Sequence, residues 1–301
     1  MYEYKSQQRT LEFGGVKIGG TPGLAPTVLI GSIFYSKDKL VLDPKAGDID
    51  KPQTDRVLTE VADMSERTGL PSMLDVVASS SPAMRRYITY LADKTSMPLL
   101  IDGSGSQDVN LAGIEMAREN GMLDRVMLNS LTPETSNEMY RKMQEAGLKS
   151  AVILTFSKDA MSSVAKRTEL ADQILAKATD SGLTNLIIDT GVVDMLTLGL
   201  ACKAMQSIKD KLGYPVGCGA HNAVNMWAGL VPKFGKDAKN PALVGSSLMP
   251  VVLGADFVLY GPVKHAGIVF PSVAMIDTAL SGVLLEKRIR PDRQHPRFRI
   301  G

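Results

Sequence analysis

Cysteine and histidine are both scarce in this sequence, and their scarcity removes several classes of site at the outset. The 301 residues include two cysteines and three histidines. Cys202 and Cys218 alone cannot supply a disulfide framework, so we predict a cytoplasmic protein in a reducing compartment. Cys218 stands three residues before His221, but no second Cys/His pair accompanies them, so we predict no metal site.

Strong net charge and long apolar runs are also lacking. The 34 Lys and Arg residues nearly balance the 32 Asp and Glu residues, giving a net charge of +2. Such a balance creates no general field that would attract nucleic acid or an anionic membrane. The polar amino terminus has no apolar signal core, and no uninterrupted apolar stretch is long enough to span a bilayer. We therefore predict a protein that binds no nucleic acid and has no membrane span.

What the sequence does contain is an alternation of short apolar runs with amphipathic segments. Apolar residues make up 44% of the chain, which is enough to form a large core. Several runs, such as AVILTF at 151–156, are almost continuously apolar, as in parallel strands that are covered on both faces. The eight predicted strands are Thr27–Phe34, Met73–Ala78, Pro98–Asp102, Arg125–Asn129, Ala151–Phe156, Asn185–Asp189, Pro215–Cys218 and Asp256–Tyr260.

The segments between these strands have helical spacing, and many are followed by a glycine that can form a left-handed cap. The predicted helices include Lys51–Arg67, Pro82–Lys94, Leu111–Asn120, Thr135–Ala146 and Arg167–Asp180. Strands and helices in this alternation close most economically into a (β/α)8 TIM barrel, predicted as one domain of residues 1–301. A doubly wound open sheet is the alternative, but the sequence Gly31–Phe34 lacks its usual glycine-rich phosphate turn.

The two ends of the chain differ from the alternating middle. The stretch Glu12–Pro26 holds five glycines and two prolines, a composition typical of turns or a hairpin. We predict that residues 1–26 cover the bottom of the barrel. Residues 289–301 are basic and aperiodic, and we predict a solvated tail there.

Polar residues stand where four of the predicted strands end, and the carboxyl ends of barrel strands form the rim of an active site. They are Asp102, Asn129, Asp189 and, in the turn after the seventh strand, Asn222. Gly217, inside that strand, and Gly219, directly after it, belong to the same predicted site. Carboxylates accept hydrogen bonds, and carboxamides both donate and accept them. The set therefore suits a flat, neutral heterocycle rich in N–H and C=O groups, such as a pterin, which the glycines would let approach the backbone. A phosphorylated substrate would need clustered Arg or Lys, and the strand ends contain none.

Each of these residues also has a structural interpretation. Asp and Asn commonly cap helices or order turns, and Asn222 could be the N-cap of a helix over Ala223–Leu230. The two glycines could serve only to permit a tight turn. His221 is the one histidine near the predicted rim, and a structural role is favoured over acid–base catalysis for it. The coincidence of four polar strand ends favours a binding site over four separate caps.

Longer motifs, taken in order, resemble those of a known family. They are EFGGVKIGGTPG, PTVLIGSIFYSKDKLV, LLIDGSG, LNS, LIID and PVGCGAHNA. Together they resemble the H subunit of tetrahydromethanopterin S-methyltransferase and its stand-alone bacterial relatives. Within that group the sequence is most similar to the methylcobalamin:tetrahydrofolate methyltransferases of glycine betaine metabolism.

The resemblance implies a barrel of the pterin-binding type, shared with corrinoid-dependent methyltransferases and dihydropteroate synthases. By matching strand ends, Asp102, Asn129 and Asp189 would hold the pterin ring, and Asn222 would lie near N5, where the methyl group arrives or leaves. Asn222 and Asp189 are thus the predicted catalytic residues. The resemblance also implies a corrinoid supplied to the mouth of the barrel, and a homodimer.

The predicted function is methyl transfer between a methyl-corrinoid and N5 of a tetrahydropterin, with tetrahydrofolate as the preferred substrate. No histidine has the Asp-x-His-x-x-Gly context used for cobalt ligation, so methylcobalamin would come free or on a separate corrinoid protein. One alternative is a tetrahydromethanopterin-specific subunit of a larger methyltransferase complex, which could also act by binding alone. The other is a dihydropteroate synthase-like enzyme, whose pyrophosphate site the strand ends do not supply.

Overall fold

The structure is a computed structural model that describes residues 3–301. The strands in chain order are β1 (Thr10–Phe13), β2 (Val16–Gly19), β3 (Val28–Ile33), β4 (Val41–Asp43), β5 (Asp48–Ile49), β6 (Ser72–Val77), β7 (Leu99–Asp102), β8 (Val126–Leu131), β9 (Ser150–Leu154), β10 (Asn185–Asp189), β11 (Val216–Cys218) and β12 (Phe257–Pro262).

The helices follow the strands in regular alternation. They are α1 (Lys51–Thr68), α2 (Ser81–Lys94), α3 (Gln107–Glu119), α4 (Asn137–Ala146), α5 (Val164–Asp180), α6 (Met195–Leu212), α7 (Asn222–Asn225), α8 (Leu230–Phe234), α9 (Lys239–Val252) and α10 (Ala266–Val283). Short 3-10 turns lie at Leu123–Arg125, Lys236–Ala238, Val263–His265, Leu284–Lys287 and Pro296–Phe298.

Eight of the strands close into one parallel barrel, in the order β10-β11-β12-β3-β6-β7-β8-β9. Every neighbouring pair in this ring is parallel. The predicted (β/α)8 barrel is confirmed, and each predicted barrel strand is displaced by no more than two residues at either end. The remaining strands form two separate antiparallel pairs, β1 with β2 and β4 with β5.

Local sequence signals set the ends of most helices. Asp50 accepts a hydrogen bond from the Gln53 N–H at the start of α1, and Gly69 ends that helix with a left-handed φ of 72°. Two predicted starts were too late, because serine caps begin the helices earlier: Ser106 caps α3 and Ser163 caps α5. The single helix predicted over Ala223–Leu230 is instead the two short helices α7 and α8.

The barrel interior and the space outside it hold two separate layers of apolar side chains. The inner layer consists of one or two buried residues from each of most strands, such as Val28, Met73 and Leu100. The outer layer lies between the strands and the ring of helices. A buried ion pair crosses the outer layer, since Nζ of Lys209 on α6 lies 2.6 Å from Oδ1 of Asp256, just before β12. The second oxygen of Asp256 accepts the N–H of Val216, so this pair ties α6 to the start of β11.

The amino-terminal hairpin of β1 and β2 lies across the amino end of the barrel. Phe13 and Ile18 are both fully buried and pack on the inner layer, which includes Val28 at the first position of β3. At the hairpin turn, a Cβ on Gly14 would lie 2.9 Å from the side chain of Pro98, the residue before β7. The hairpin therefore covers the end of the barrel opposite to the strand-end rim.

The carboxyl-terminal segment was predicted as a solvated tail, and this prediction is wrong for its second half. Residues Pro296–Phe298 form a 3-10 turn against α10, and the side chain of His295 is fully buried. The carbonyl oxygen of Gln294 approaches Gly69 so closely that a Cβ there would lie 2.3 Å from it. The segment thus packs on the turn after α1, while arginines such as Arg293 remain exposed.

One stretch of the described residues, Val263–Lys287, is long and apolar enough to cross a membrane by length and composition. It comprises α10 with a 3-10 turn at each end, and 44% of its most apolar window is buried within the protein. In the barrel, α10 packs against α1 and α9 as a wall helix. The absence of a membrane span, expected from the sequence, stays a prediction.

Candidate active site at the carboxyl end of the barrel

A cavity of about 1240 Å³ opens at the carboxyl ends of the barrel strands. The predicted site residues that line it are Asp102, Asn129, Asp189, Gly219 and Asn222. They come from four strand ends that are far apart in sequence, so the parallel barrel is what brings them together. Gly217 does not line the cavity. A Cβ at this position would lie 2.1 Å from the carbonyl oxygen of Phe257, so close packing with β12 explains this glycine, and its assignment to the ligand set is corrected.

Asp102 is the last residue of β7 and points one oxygen into its own turn. Its Oδ1 accepts the N–H of Ser104 at 2.7 Å, so the turn-ordering interpretation holds alongside the position in the cavity. Burial and then the nearby Asp75 carboxylate raise the pKa of Asp102 to about 7. The second oxygen of Asp102 has no hydrogen-bond partner among the described residues.

Asp75 is a cavity residue that the sequence analysis did not identify. It lies inside β6, and its Oδ1 and Oδ2 accept hydrogen bonds from Nδ2 of Asn129 at 3.0 Å and Oγ of Ser32 at 2.9 Å. Burial raises the pKa of this carboxyl. Because Nδ2 of Asn129 donates its hydrogen bond to Asp75, Oδ1 of Asn129 is left as an acceptor for the cavity. An Asp within an otherwise apolar strand, the sequence SMLDVV, was the available signal.

Asp189 is held by the backbone of two adjacent loops. Its Oδ1 accepts the N–H of Gly191 at 2.7 Å, and the N–H of Gly219 also donates to this carboxylate. Burial raises the pKa of Asp189 to about 6, although these bonds and the charge of Arg167 oppose the rise. Arg167 itself is fully buried in α5. Its guanidinium donates to the carbonyls of Ala160, Met161, Thr190 and Gly191. Arg167 thereby fixes the loop that carries Asp189.

Asn222 does not act as a helix cap. It is the first residue of α7, no side chain caps that helix, and Nδ2 of Asn222 donates to the carbonyl of Val192 at 3.1 Å. The cap interpretation is therefore wrong. A Cβ on Gly219 would lie 3.3 Å from the same Nδ2, so glycine leaves room for the Asn222 amide. With its nitrogen held by Val192, Asn222 presents its Oδ1 as the remaining acceptor.

His221 also lines the cavity and is held by backbone. Its Nδ1 lies 3.0 Å from the carbonyl of Leu259, so Nδ1 carries the proton and donates, while Nε2 keeps its lone pair. Burial lowers the pKa of His221, which keeps the ring neutral. Gly261 makes the space, because a Cβ there would lie 2.8 Å from the ring.

Three lysines line the cavity, and the sequence analysis did not anticipate them. Lys37 follows β3, Lys239 begins α9, and Lys264 follows β12. The strand ends themselves lack cations, as the sequence showed, but the loops beyond them do not. Lys37 has a left-handed φ of 67°, as do the neighbouring Phe34 at 63° and Ser104 at 51° across the rim. Such strained conformations in residues other than glycine cluster at functional sites.

These features determine what the cavity can bind. Asp102, Asn129 and Asn222 each use one polar atom within the protein and leave an acceptor oxygen to the cavity. Such a set fits a ring that carries several N–H donors, as a pterin does. Within residues 3–301, no group of three or more His, Cys, Asp or Glu side chains is arranged to hold a metal ion.

Comparisons with known proteins agree with this fold and identify the family. The profile of the family described as "Tetrahydromethanopterin S-methyltransferase MtrH subunit" matches residues 6–291. The H subunit of tetrahydromethanopterin S-methyltransferase from Methanothermobacter thermautotrophicus is 31% identical over 316 residues, with 100% of each chain covered. The H subunit of the putative methyltransferase mtx from Methanosarcina barkeri is 32% identical over 311 residues, with 98% of each chain covered.

Solved structures with a similar fold include dihydropteroate synthases. That of Xanthomonas albilineans has a TM-score of 0.59 at 16% identity, covering 91% of this chain and 98% of its own. That of Yersinia pestis has a TM-score of 0.61 at 12% identity, covering 90% and 99% respectively. At these identities the likeness concerns the fold. The match along nearly the whole sequence, together with the full-length relatives, shows that this chain belongs to the MtrH family, the H subunits of tetrahydromethanopterin S-methyltransferase.

Proposed function

We propose that this chain binds a tetrahydropterin in the strand-end cavity and catalyses methyl transfer between its N5 atom and a corrinoid. The observation that supports this most directly is the convergence of Asp102, Asn129, Asp189 and Asn222 on one cavity of about 1240 Å³. Membership of a methyltransferase family supports the reaction class. The dihydropteroate synthase-like alternative is supported only by the fold.

In this proposal the carboxylates and Asn129 hold the ring. The free oxygens of Asp102 and Asn129 accept ring N–H groups, and Asp189 is fixed by the N–H groups of Gly191 and Gly219. Because Asp75 and Arg167 hold these groups in place before the ligand arrives, little side-chain freedom is lost on binding. The ring is thereby positioned for an in-line methyl transfer, which depends mainly on orientation.

Asn222 is the residue proposed to act at N5. With its Nδ2 bound to Val192, its Oδ1 can accept an N–H from N5. This oxygen stabilises N5 when it is protonated and positively charged, which is the state just after it gains a methyl group and just before it gives one up. One hydrogen bond therefore serves both directions. The corrinoid, when present at the mouth, donates or accepts the methyl group at its cobalt.

The substrate within the tetrahydropterin class is a further part of the proposal. The sequence motifs suggested tetrahydrofolate, but the full-length relatives are named as tetrahydromethanopterin methyltransferase subunits. These names favour tetrahydromethanopterin, so we propose it as the first substrate to test. The same relatives are named as subunits, which supports action together with a separate corrinoid protein. The homodimer and the cytoplasmic location stay predictions.

The test is methyl transfer by the purified chain from free methylcobalamin, with tetrahydromethanopterin and tetrahydrofolate supplied in parallel. We expect at least one of the two pterins to be methylated, and we expect calorimetry to detect binding of that pterin. Transfer only after a corrinoid protein is added would assign the chain to a complex. Binding of neither pterin would refute the proposal, and condensation of 4-aminobenzoate with a pterin pyrophosphate would favour the dihydropteroate synthase-like alternative.

A further inference from the structure

The charged side chains of the cavity are separated by sign, and the exposed Glu134 follows β8, the strand opposite β12 in the barrel ring. The carboxylates Asp75, Asp102 and Asp189 belong to β6, β7 and β10, and all three are at or below the strand-end rim. Lys37 and Lys264 follow β3 and β12 directly, and Lys239 begins α9 in the connection between β11 and β12. These last three strands are consecutive in the barrel ring. The cations therefore gather on one side of the mouth, above a carboxylate-lined floor.

None of these three ammonium groups is neutralised by the protein. In the part of the chain that the structure describes, no carboxylate lies within ion-pair distance of any of them, and none makes a side-chain hydrogen bond. The buried Asp38 directs both oxygens to the backbone N–H groups of Phe34 and Leu40, and Lys264 acts on it only through the attraction between their charges. All three side chains are exposed at the mouth of the cavity, where an anionic group of a ligand can reach them.

A histidine lies on the same side of the cavity as these lysines. His265 lines the same side of the cavity, and its Nδ1 is buried without a hydrogen-bond partner among the described residues. Burial, then Lys264, Lys239 and His221, lower the pKa of His265 to about 4, so both lysines act on one ring. The neutral imidazole nitrogen and the two ammonium groups therefore belong to one region, in which the described residues form no ion pair with either lysine.

A tetrahydropterin has the complementary distribution of charge. Its ring is neutral and rich in N–H groups, and a tail attached beside N5 ends in anionic groups. These are the carboxylates of a glutamate in tetrahydrofolate and a phosphate with carboxylates in tetrahydromethanopterin. With the ring on the floor of the cavity, the anionic tail would be attracted to the lysine side of the mouth. We propose that Lys37, Lys239 and Lys264 bind the anionic tail of the tetrahydropterin, an inference that rests on the proposed function.

The experiment compares a tailed ligand with one that has only the ring. Binding of tetrahydrofolate, tetrahydromethanopterin and 6-methyltetrahydropterin is measured by calorimetry on the full chain and on the double variant Lys239→Gln/Lys264→Gln. Because exposed charge pairs contribute little each, we expect the variant to bind the tailed ligand about three- to tenfold more weakly. Binding of 6-methyltetrahydropterin should be unchanged, which also shows that the variant is folded. A loss of affinity for tetrahydrofolate would show that carboxylates alone are sufficient for this interaction, and a loss for tetrahydromethanopterin alone would show that they are not.

Two controls make the result specific. Lys236→Gln removes an exposed lysine that lies three residues from Lys239 and does not line the cavity, and it should change no affinity. Added salt should weaken binding of the tailed ligand to the unaltered chain and leave the ring-only ligand unaffected. An equal loss for both ligands, or no loss for the tailed one, would overturn the assignment of the lysines. If the unaltered chain bound neither ligand, the proposed function itself would fail.

Discussion

Nδ2 of Asn129 donates a hydrogen bond of 3.0 Å to Oδ1 of Asp75. A buried carboxylate therefore fixes the orientation of Asn129, one of the residues predicted to bind the pterin. The other oxygen of Asp75 is occupied by Ser32. Each oxygen of Asp75 thus accepts one hydrogen bond from within the protein, and one of these bonds holds Asn129. This arrangement makes the role of Asp75 separable from that of the residues that touch the ring.

The substitution Asp75→Asn tests this positioning role. One of the two acceptor oxygens becomes an NH2 group, so the bonds from Ser32 and Asn129 can no longer both persist in their present form. We expect pterin affinity to fall about three- to tenfold, the usual range for one neutral hydrogen bond. Calorimetry measures the affinity. Ser32→Ala leaves the Asn129 bond intact and should have a smaller effect, and unaltered binding by Asp75→Asn would show that Asn129 needs no such support.

Removing the Asn222 carboxamide should affect transfer more than binding. Its Oδ1 interacts most strongly with N5 when N5 is charged, so Asn222→Ala should lower kcat by about 100-fold while changing the pterin Kd little. Single-turnover methyl transfer with methylcobalamin measures the first quantity and calorimetry the second. Asn120→Ala, an exposed position at the end of α3, is the matched control. Full activity of Asn222→Ala would remove Asn222 from the catalytic residues.

Pterin binding should strengthen as pH rises through neutrality. The pKa of Asp102 is raised to about 7 by burial and by Asp75, so a large share of this carboxyl is protonated near neutral pH. Ring N–H groups need the ionised form, and binding them lowers the pKa, which releases a proton. Calorimetry at about pH 7 in buffers of different ionisation enthalpy detects this release. Asp102→Asn should abolish it and weaken binding about tenfold or more, since bonds to charged groups are the stronger kind. Binding that is independent of pH would contradict the assignment.

The buried pair of Lys209 and Asp256 should matter for stability and not for chemistry. Asp256→Ala leaves a fully buried ammonium group unpaired and the Val216 N–H without its acceptor, so we expect a loss of about 3–5 kcal/mol. Urea denaturation measures it. The double variant Asp256→Ala/Lys209→Met should recover part of the loss, because the isolated charge is gone. A loss no larger than that of Asp63→Ala, which breaks an exposed pair with Arg67, would show that the pair contributes little.

The barrel strands could be located from the sequence because their burial leaves a direct trace. Strands covered on both faces must be apolar almost throughout, so runs such as that of β9 are visible without any knowledge of their neighbours. Asp102, Asn129 and Asp189 were found because they interrupt such runs at their carboxyl ends. Parallel pairing then places the carboxyl ends of all strands on one rim, so these three residues could be predicted to lie in one site.

The residues that sequence analysis missed depend on contacts between distant segments. Asp75 interrupts an apolar run, but it stands inside the strand, where the sequence alone does not show that its side chain reaches the cavity. Lys37, Lys239 and Lys264 stand in loops, and whether a loop residue faces the mouth depends on the path of the backbone. The same holds for Gly217, whose close approach to Phe257 exists only in the folded barrel, and for the packing of His295.

The inner apolar layer fills the barrel, and Phe13 and Ile18 cover its amino end, which has a kinetic consequence for the proposed reaction. Because the amino end is closed, the pterin and the corrinoid that carries the methyl group must both reach the site through the mouth at the carboxyl end of the barrel. The heterocycle lies deeper, so it must enter before the carrier docks and can depart only after the carrier has left. Turnover would therefore follow a compulsory order through a ternary complex, and a large excess of carrier would slow the exchange of the heterocycle.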